Sequence, residues 1–128
     1  MKTRLLVVFA VAVGLFLATG QLFAHHAGSF YDRNNPVNLT GNVAEYEFAN
    51  PHVRIHFDVK NEDGSVTRWV AESAPPQRIY RAGWNRNSLK VGDEITVNGF
   101  PSKDGKRWLS IKKLVVSGSG KTLSSGAE

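Results

Sequence analysis

The chain has 128 residues, 16 of them basic and 11 acidic, for a formal charge of +5, and it contains no cysteine. That length suits one domain with a modest core, and so mild a basic excess is no evidence for a nucleic-acid partner. Without thiols, disulfides, thiolate metal sites and thiol redox chemistry are all excluded.

Lys2 and Arg4 precede an apolar run from Leu5 to about Ala18, followed by Thr19-Gly20-Gln21-Leu22-Phe23-Ala24. A basic start, an apolar segment too short to span a bilayer and a small residue at its end describe a secretory signal peptide over residues 1–24. Cleavage after Ala24 makes His25 the first residue of the mature chain. A cut after Gly20 starts it at Gln21 instead, and an uncleaved membrane anchor is the alternative. Removing residues 1–24 takes away two basic residues and no acidic one, so the formal charge falls from +5 to +3. The expected location is the periplasm or the exterior, as a monomer with no membrane span left after cleavage.

Residues 25–36 are polar and turn-forming and read as an N-terminal arm. Val37, Leu39, Gly41 and Val43 then alternate with polar neighbours, after which Tyr46 and Phe48 carry the apolar phase. That shift predicts one long strand with a bulge or bend near Ala44-Glu45. Asn50-Pro51 breaks it, and Val53, Ile55, Phe57 and Val59 mark a second, half-buried strand. Asn61-Glu62-Asp63-Gly64 is a hairpin turn, and residues 65–73 form a third strand containing Trp69.

Pro75-Pro76 opens a short helix that Gly83 ends, with Ile79 and Ala82 spaced to face the core. Strands four, Glu94 to Phe100, and five, Arg107 to Val116, follow turns at Lys90-Val91-Gly92-Asp93 and Lys103-Asp104-Gly105-Lys106. From Ser117 the chain is rich in Ser and Gly, so residues 118–128 are expected to be a disordered tail. Five strands with one short helix between the third and fourth is the order of an OB-like barrel over residues 37–117; an open β-sandwich is the rival.

Several short motifs recur in order along the mature chain: "AHH" and "YD" at its start, "LTGNV", "NPHV", the tryptophan of strand three and "RAGWNRNSLKVGDEITVNGFPSKDG" before a closing β segment. In these the chain resembles the DUF6152 family of small exported bacterial proteins. The resemblance implies export and a small β-barrel and assigns no activity.

Four histidines are present, His25, His26, His52 and His56. With His25 as the mature N-terminus, its α-amine and ring nitrogen can chelate one metal ion, and a histidine from elsewhere completes the T-shaped nitrogen set that Cu(II) favours. The arrangement is similar to the copper histidine brace of oxidative polysaccharide enzymes and of periplasmic copper carriers. His26 offers another mode through the amine, a deprotonated amide and its own ring. His52 and His56 share the polar side of strand two but stand roughly 13 Å apart at about 3.3 Å per residue, so they cannot ligate one ion. His52, at the strand's start beside Asn50-Pro51, is the better partner, with Asn50 placed to orient its ring.

A second reading treats the histidines as incidental solvated residues and the barrel face as a binding surface for a cell-envelope protein or glycan. Arg54, His56 and Arg68 would then combine with an exposed Trp69, Trp84 or Trp108, although Trp69 and Trp108 also suit a core, and Gly83-Trp84 with Arg86 reads as a structural corner. Catalysis by side chains is poorly supported. Ser29 sits in the arm and no carboxylate pair has acid–base spacing, although Asp32 and Glu45 could approach the junction at His25 and His26.

Overall fold

A computed structural model describes residues 30–124. The expected signal peptide over residues 1–24, His25 and His26 lie outside the described residues. From Tyr31 onward the chain forms one compact unit built from β1 (Val37–Glu47), β2 (Arg54–Lys60), β3 (Val66–Glu72), α1 (Pro76–Arg81), β4 (Glu94–Pro101), β5 (Trp108–Val116) and β6 (Thr122–Ser124).

The sheet order is β3-β2-β1-β4-β5-β6, and a parallel contact of β3 with β5 joins the two sides. In that contact Val70, Ala71 and Glu72 pair with Trp108, Leu109 and Ser110. Strands β1 to β5 therefore close into a barrel with one short helix between β3 and β4, the OB-like arrangement expected.

Closure depends on strands that bend. β1 pairs with β4 through Val37–Asn42 and with β2 through Asn42–Glu47. Its register slips between Val43 and Glu45, so Ala44 is the extra residue of a bulge. The β4–β5 register shifts likewise between Asn98, opposite Lys113, and Gly99, opposite Ile111, and Lys112 and Lys113 both face outward between buried Ile111 and Leu114. Gly99 sits where strands crowd: a Cβ there would meet the Ser110 carbonyl oxygen at 2.5 Å and Leu109 Cδ1 at 2.6 Å.

The barrel interior holds Ile55, Phe57, Ala71, Ile95, Val97, Leu109, Ile111 and Leu114, all essentially inaccessible to solvent. The alternation of β2 was legible because its inner residues are apolar and its outer ones polar. α1 begins with Pro76 in its first turn and covers one end of the barrel with Ile79, which is 2% exposed. Ala82, expected beside it in the core, is exposed. A helix of six residues ends too soon to bury it. Gly83, at φ +86°, instead swings Trp84 inward to 1% exposure.

The tail also differs from expectation. Ser117 to Lys121 make a turn, and Thr122–Ser124 add a sixth strand, pairing with Lys113–Val115. Leu123 is 1% exposed, and the Trp84 indole N–H donates to the Thr122 carbonyl at 3.2 Å. A lone leucine among Ser, Gly and Lys gives no periodic signal, although Leu123 joins the same core cluster as Trp84. Leu123→Ala should therefore lower unfolding stability by about 2–5 kcal/mol, readable in urea denaturation; a change within experimental error would mean that the tail packs nothing.

Candidate functional site

Cross-strand partners share a face of a sheet, and the registers of β1, β2, β3 and β5 assemble one polar outer surface. Glu47, Arg54 and Glu72 form one row, and Glu45, His56, Val70 and Trp108 form the next. Asp58 and Arg68 continue it. The bulge at Ala44 places Glu45 and Glu47 here, since β1's uninterrupted alternation would aim them inward with Gly41 and Val43.

Glu72 is the hub of the surface. Its carboxylate takes the Arg54 Nε–H at 3.2 Å on Oε2, and His52 Nδ1 lies 3.2 Å from Oε1. The Tyr31 hydroxyl donates to the same group. Burial, followed by the charge and hydrogen bond of Glu72, pushes the Tyr31 hydroxyl up to about 12. Tyr31 is fixed at its backbone as well, through a bridge to Ser102 and the hydrogen bond from Asp32 N to the Pro101 carbonyl at 2.8 Å. The β4–β5 loop beside it is closed by Asp104, which accepts from the Ser102 hydroxyl and from Lys106 N, and whose carboxyl is held down to about 2, chiefly by Ser102.

Arg54 also lies over the Trp108 ring, 5.3 Å from its centroid. The His56 Nε2 atom lies 3.0 Å from Glu47 Oε1. One donor atom from each of Glu45, Glu47 and His56 falls within 4.8 Å of the others. Arg68 grips both oxygens of Asp58, holding that carboxyl below its usual range.

His52 precedes β2 at the end of the β1–β2 loop, with 44% of its side chain exposed. His52 and His56 engage different carboxylates, as their spacing requires. The group that steadies the His52 ring is Glu72, where Asn50 was expected. Trp84 is buried and takes no part in a stacking surface. Trp69 packs against the core with Arg107 over its ring at 5.4 Å. Asp32 serves a local turn, accepting from Asn34 N and from the Asn35 amide. Glu47, Glu72 and Tyr31 were not singled out by residue type, and Glu45 only as a carboxylate that could approach the junction. The β1 phase shift was the available signal for the two glutamates of that strand. Glu72 and Tyr31 acquire their role only through the β2–β3 register and the Tyr31–Ser102 bridge.

Chemically, the surface presents one imidazole, His52, whose Nε2 has no partner among the described residues, and further along it an acidic pair with its own imidazole. It is not an open cationic groove, because Arg54 and Arg68 are each engaged by a carboxylate.

A family model described as a family of unknown function, DUF6152, matches residues 13–110. No curated protein matches the sequence. Among solved structures the fold is similar to the mitochondrial single-stranded DNA binding protein Rim1 of S. cerevisiae, at 10% identity and a TM-score of 0.50, covering 65% of this chain and 93% of that one. It is also similar to part of TiaS, solved in complex with a tRNA and ATP, at 17% identity and a TM-score of 0.43, covering 67% of this chain and 19% of that one. At 10% identity the likeness to Rim1 is one of fold.

Tyr31 makes the surface sensitive to alkali. Its folded-state value is raised from 10.0 to about 12, so its contribution is whole below pH 10 and is lost as pH rises through about 12. Burial raises Tyr46 to a similar value. Denaturation midpoints should therefore fall between pH 10 and about 12, and more shallowly in Tyr31→Phe; an identical slope in the variant would remove Tyr31 from this role.

Proposed function

The chain belongs to the DUF6152 family, and we propose that it is an exported, transition-metal-binding barrel that holds copper through a mature N-terminal His25, with His52 and His26 as further ligands. The observation that carries this reading is the His52–Glu72 pair. A metal-ligating imidazole characteristically directs its other ring nitrogen to a carboxylate, which fixes the tautomer, aims the ring and raises ligand basicity. His52 Nδ1 stands 3.2 Å from Glu72 Oε1, close enough for that carboxylate to take the ring N–H when Nε2 meets an ion.

Glu72 is itself held by Arg54 and by the Tyr31 hydroxyl, and Tyr31 ties the reading to the arm. Its side chain reaches the carboxylate that orients His52, and His25 stands six residues upstream. Six residues span at most roughly 20 Å when extended, which is ample for the amino end to return to His52. The α-amine and ring of His25 with His52 Nε2 supply three nitrogen donors, the set that suits Cu(II).

The rival, an envelope-binding module using Arg54, His56, Arg68 and Trp108, has less support. Each of those basic groups already meets a carboxylate, so an anionic or glycan ligand would have to displace an internal partner.

In calorimetric titrations of the mature protein with Cu(II), His52→Ala should weaken binding by at least about tenfold and Glu72→Gln by about 10–100-fold. Both side chains lie on the outer surface, and unaltered melting curves would show that the fold survives. Unchanged copper affinity in His52→Ala would overturn the assignment.

A further inference from the structure

We infer that Glu45, Glu47 and His56 form a separate divalent-cation site, suited to Zn2+, on the outer face of β1 and β2. It uses none of the copper ligands proposed above, and its donors differ in kind.

The argument begins with the backbone. All three side chains stand on paired strands rather than on loops, with Glu45 directly opposite His56 and Glu47 two residues further along the same strand. The Ala44 bulge turns both glutamates to the side on which His56 stands. One donor atom from each residue falls within 4.8 Å of the other two, and His56 Nε2 is already 3.0 Å from Glu47 Oε1. Zinc bound to imidazole nitrogen and carboxylate oxygen at about 2.0–2.2 Å separates neighbouring ligand atoms by roughly 3.4 Å in a tetrahedron.

The charge balance points the same way. With a neutral imidazole the cluster carries two negative charges, and the nearest cations are committed elsewhere: Arg54, opposite Glu47, is held by Glu72, and Arg68 is held by two bonds to Asp58. Among the described residues the Glu45 carboxylate has no hydrogen-bond partner, and Arg68 reaches it only through its charge. A divalent cation between the carboxylates would replace their repulsion with attraction.

The donor chemistry selects the ion. Ca2+ and Mg2+ take shells of oxygen, whereas one imidazole with two carboxylates is a zinc-type set that leaves a fourth position for water. Three protein ligands and an open place on an exposed face describe an exchangeable site rather than a closed structural one.

The test is a Zn2+ titration of the mature protein followed by the ring resonances of each histidine in nuclear magnetic resonance. The His56 ring signals should move or broaden to saturation at one equivalent. Glu45→Gln and Glu47→Gln should each weaken that response at least about tenfold, and His52→Ala should leave it intact. His56 signals that stay unmoved would overturn the site, as would glutamine variants that respond like the parent or a His56 response that disappears with His52. Because the His56 response is read in the unsubstituted protein, a variant that failed to fold would not remove the test. Loss of copper binding in His52→Ala, with this response unchanged, separates the two sites.

Discussion

Ala44 has no partner in β2: Val43 pairs with Phe57 and Glu45 pairs with His56, so β1 takes up one extra residue between them. Ahead of that point β1 runs beside β4 and buries Gly41 and Val43; beyond it, β1 runs beside β2 with Tyr46 and Phe48 packed against the core. The bulge thus lets one strand serve two sides of a closed barrel. It also exchanges the faces of every residue after it, moving Glu45 and Glu47 from the interior to the surface. Closure and surface chemistry both follow from one inserted residue.

On that surface the carboxylates carry the organisation. Glu72 receives hydrogen bonds from a guanidinium and a phenol and has an imidazole nitrogen 3.2 Å away, with only 17% of its side chain exposed. A carboxylate so enclosed needs such partners, because burying an unpaired charge is costly. The same convergence brings the His52 ring within 3.2 Å of the carboxylate and ties Tyr31 to the face beside it. Arg54 adds its contact with Trp108, and that ring neighbours Val70, which is buried although it belongs to the outer row. On this face Arg54 and Arg68 are each paired with a carboxylate, which leaves Glu45 and Glu47 without a cation of their own among the described residues.

The sequence made much of this legible. The alternation of Val53, Ile55, Phe57 and Val59, the Asp63-Gly64 turn and the Pro75-Pro76 helix start are local signals, and each marks the element found. The β1 phase change is equally local and identified the bulge. What escaped notice depends on contacts between distant residues. β6 is held by its pairing with β5, by burial of Leu123 in the core and by the Trp84 indole, nearly forty positions earlier, which donates to the Thr122 carbonyl. Glu72 is a hub because Arg54, His52 and Tyr31 converge on it from three segments. Ala82 was placed in the core by helical spacing, but Trp84 holds the buried position beyond the helix end. Of the candidate ligands, His52 is seen held by Glu72, while His25 and His26 precede the described residues.

The central claim is that a histidine at the mature N-terminus joins His52 around copper. Native mass spectrometry of the protein recovered from the periplasm after growth with copper tests it most directly, because one spectrum reports both the N-terminal residue and the bound metal. The account predicts a chain beginning at His25 that carries one copper ion. A chain beginning at Gln21, or a His25 chain that stays metal-free with copper supplied, would contradict it.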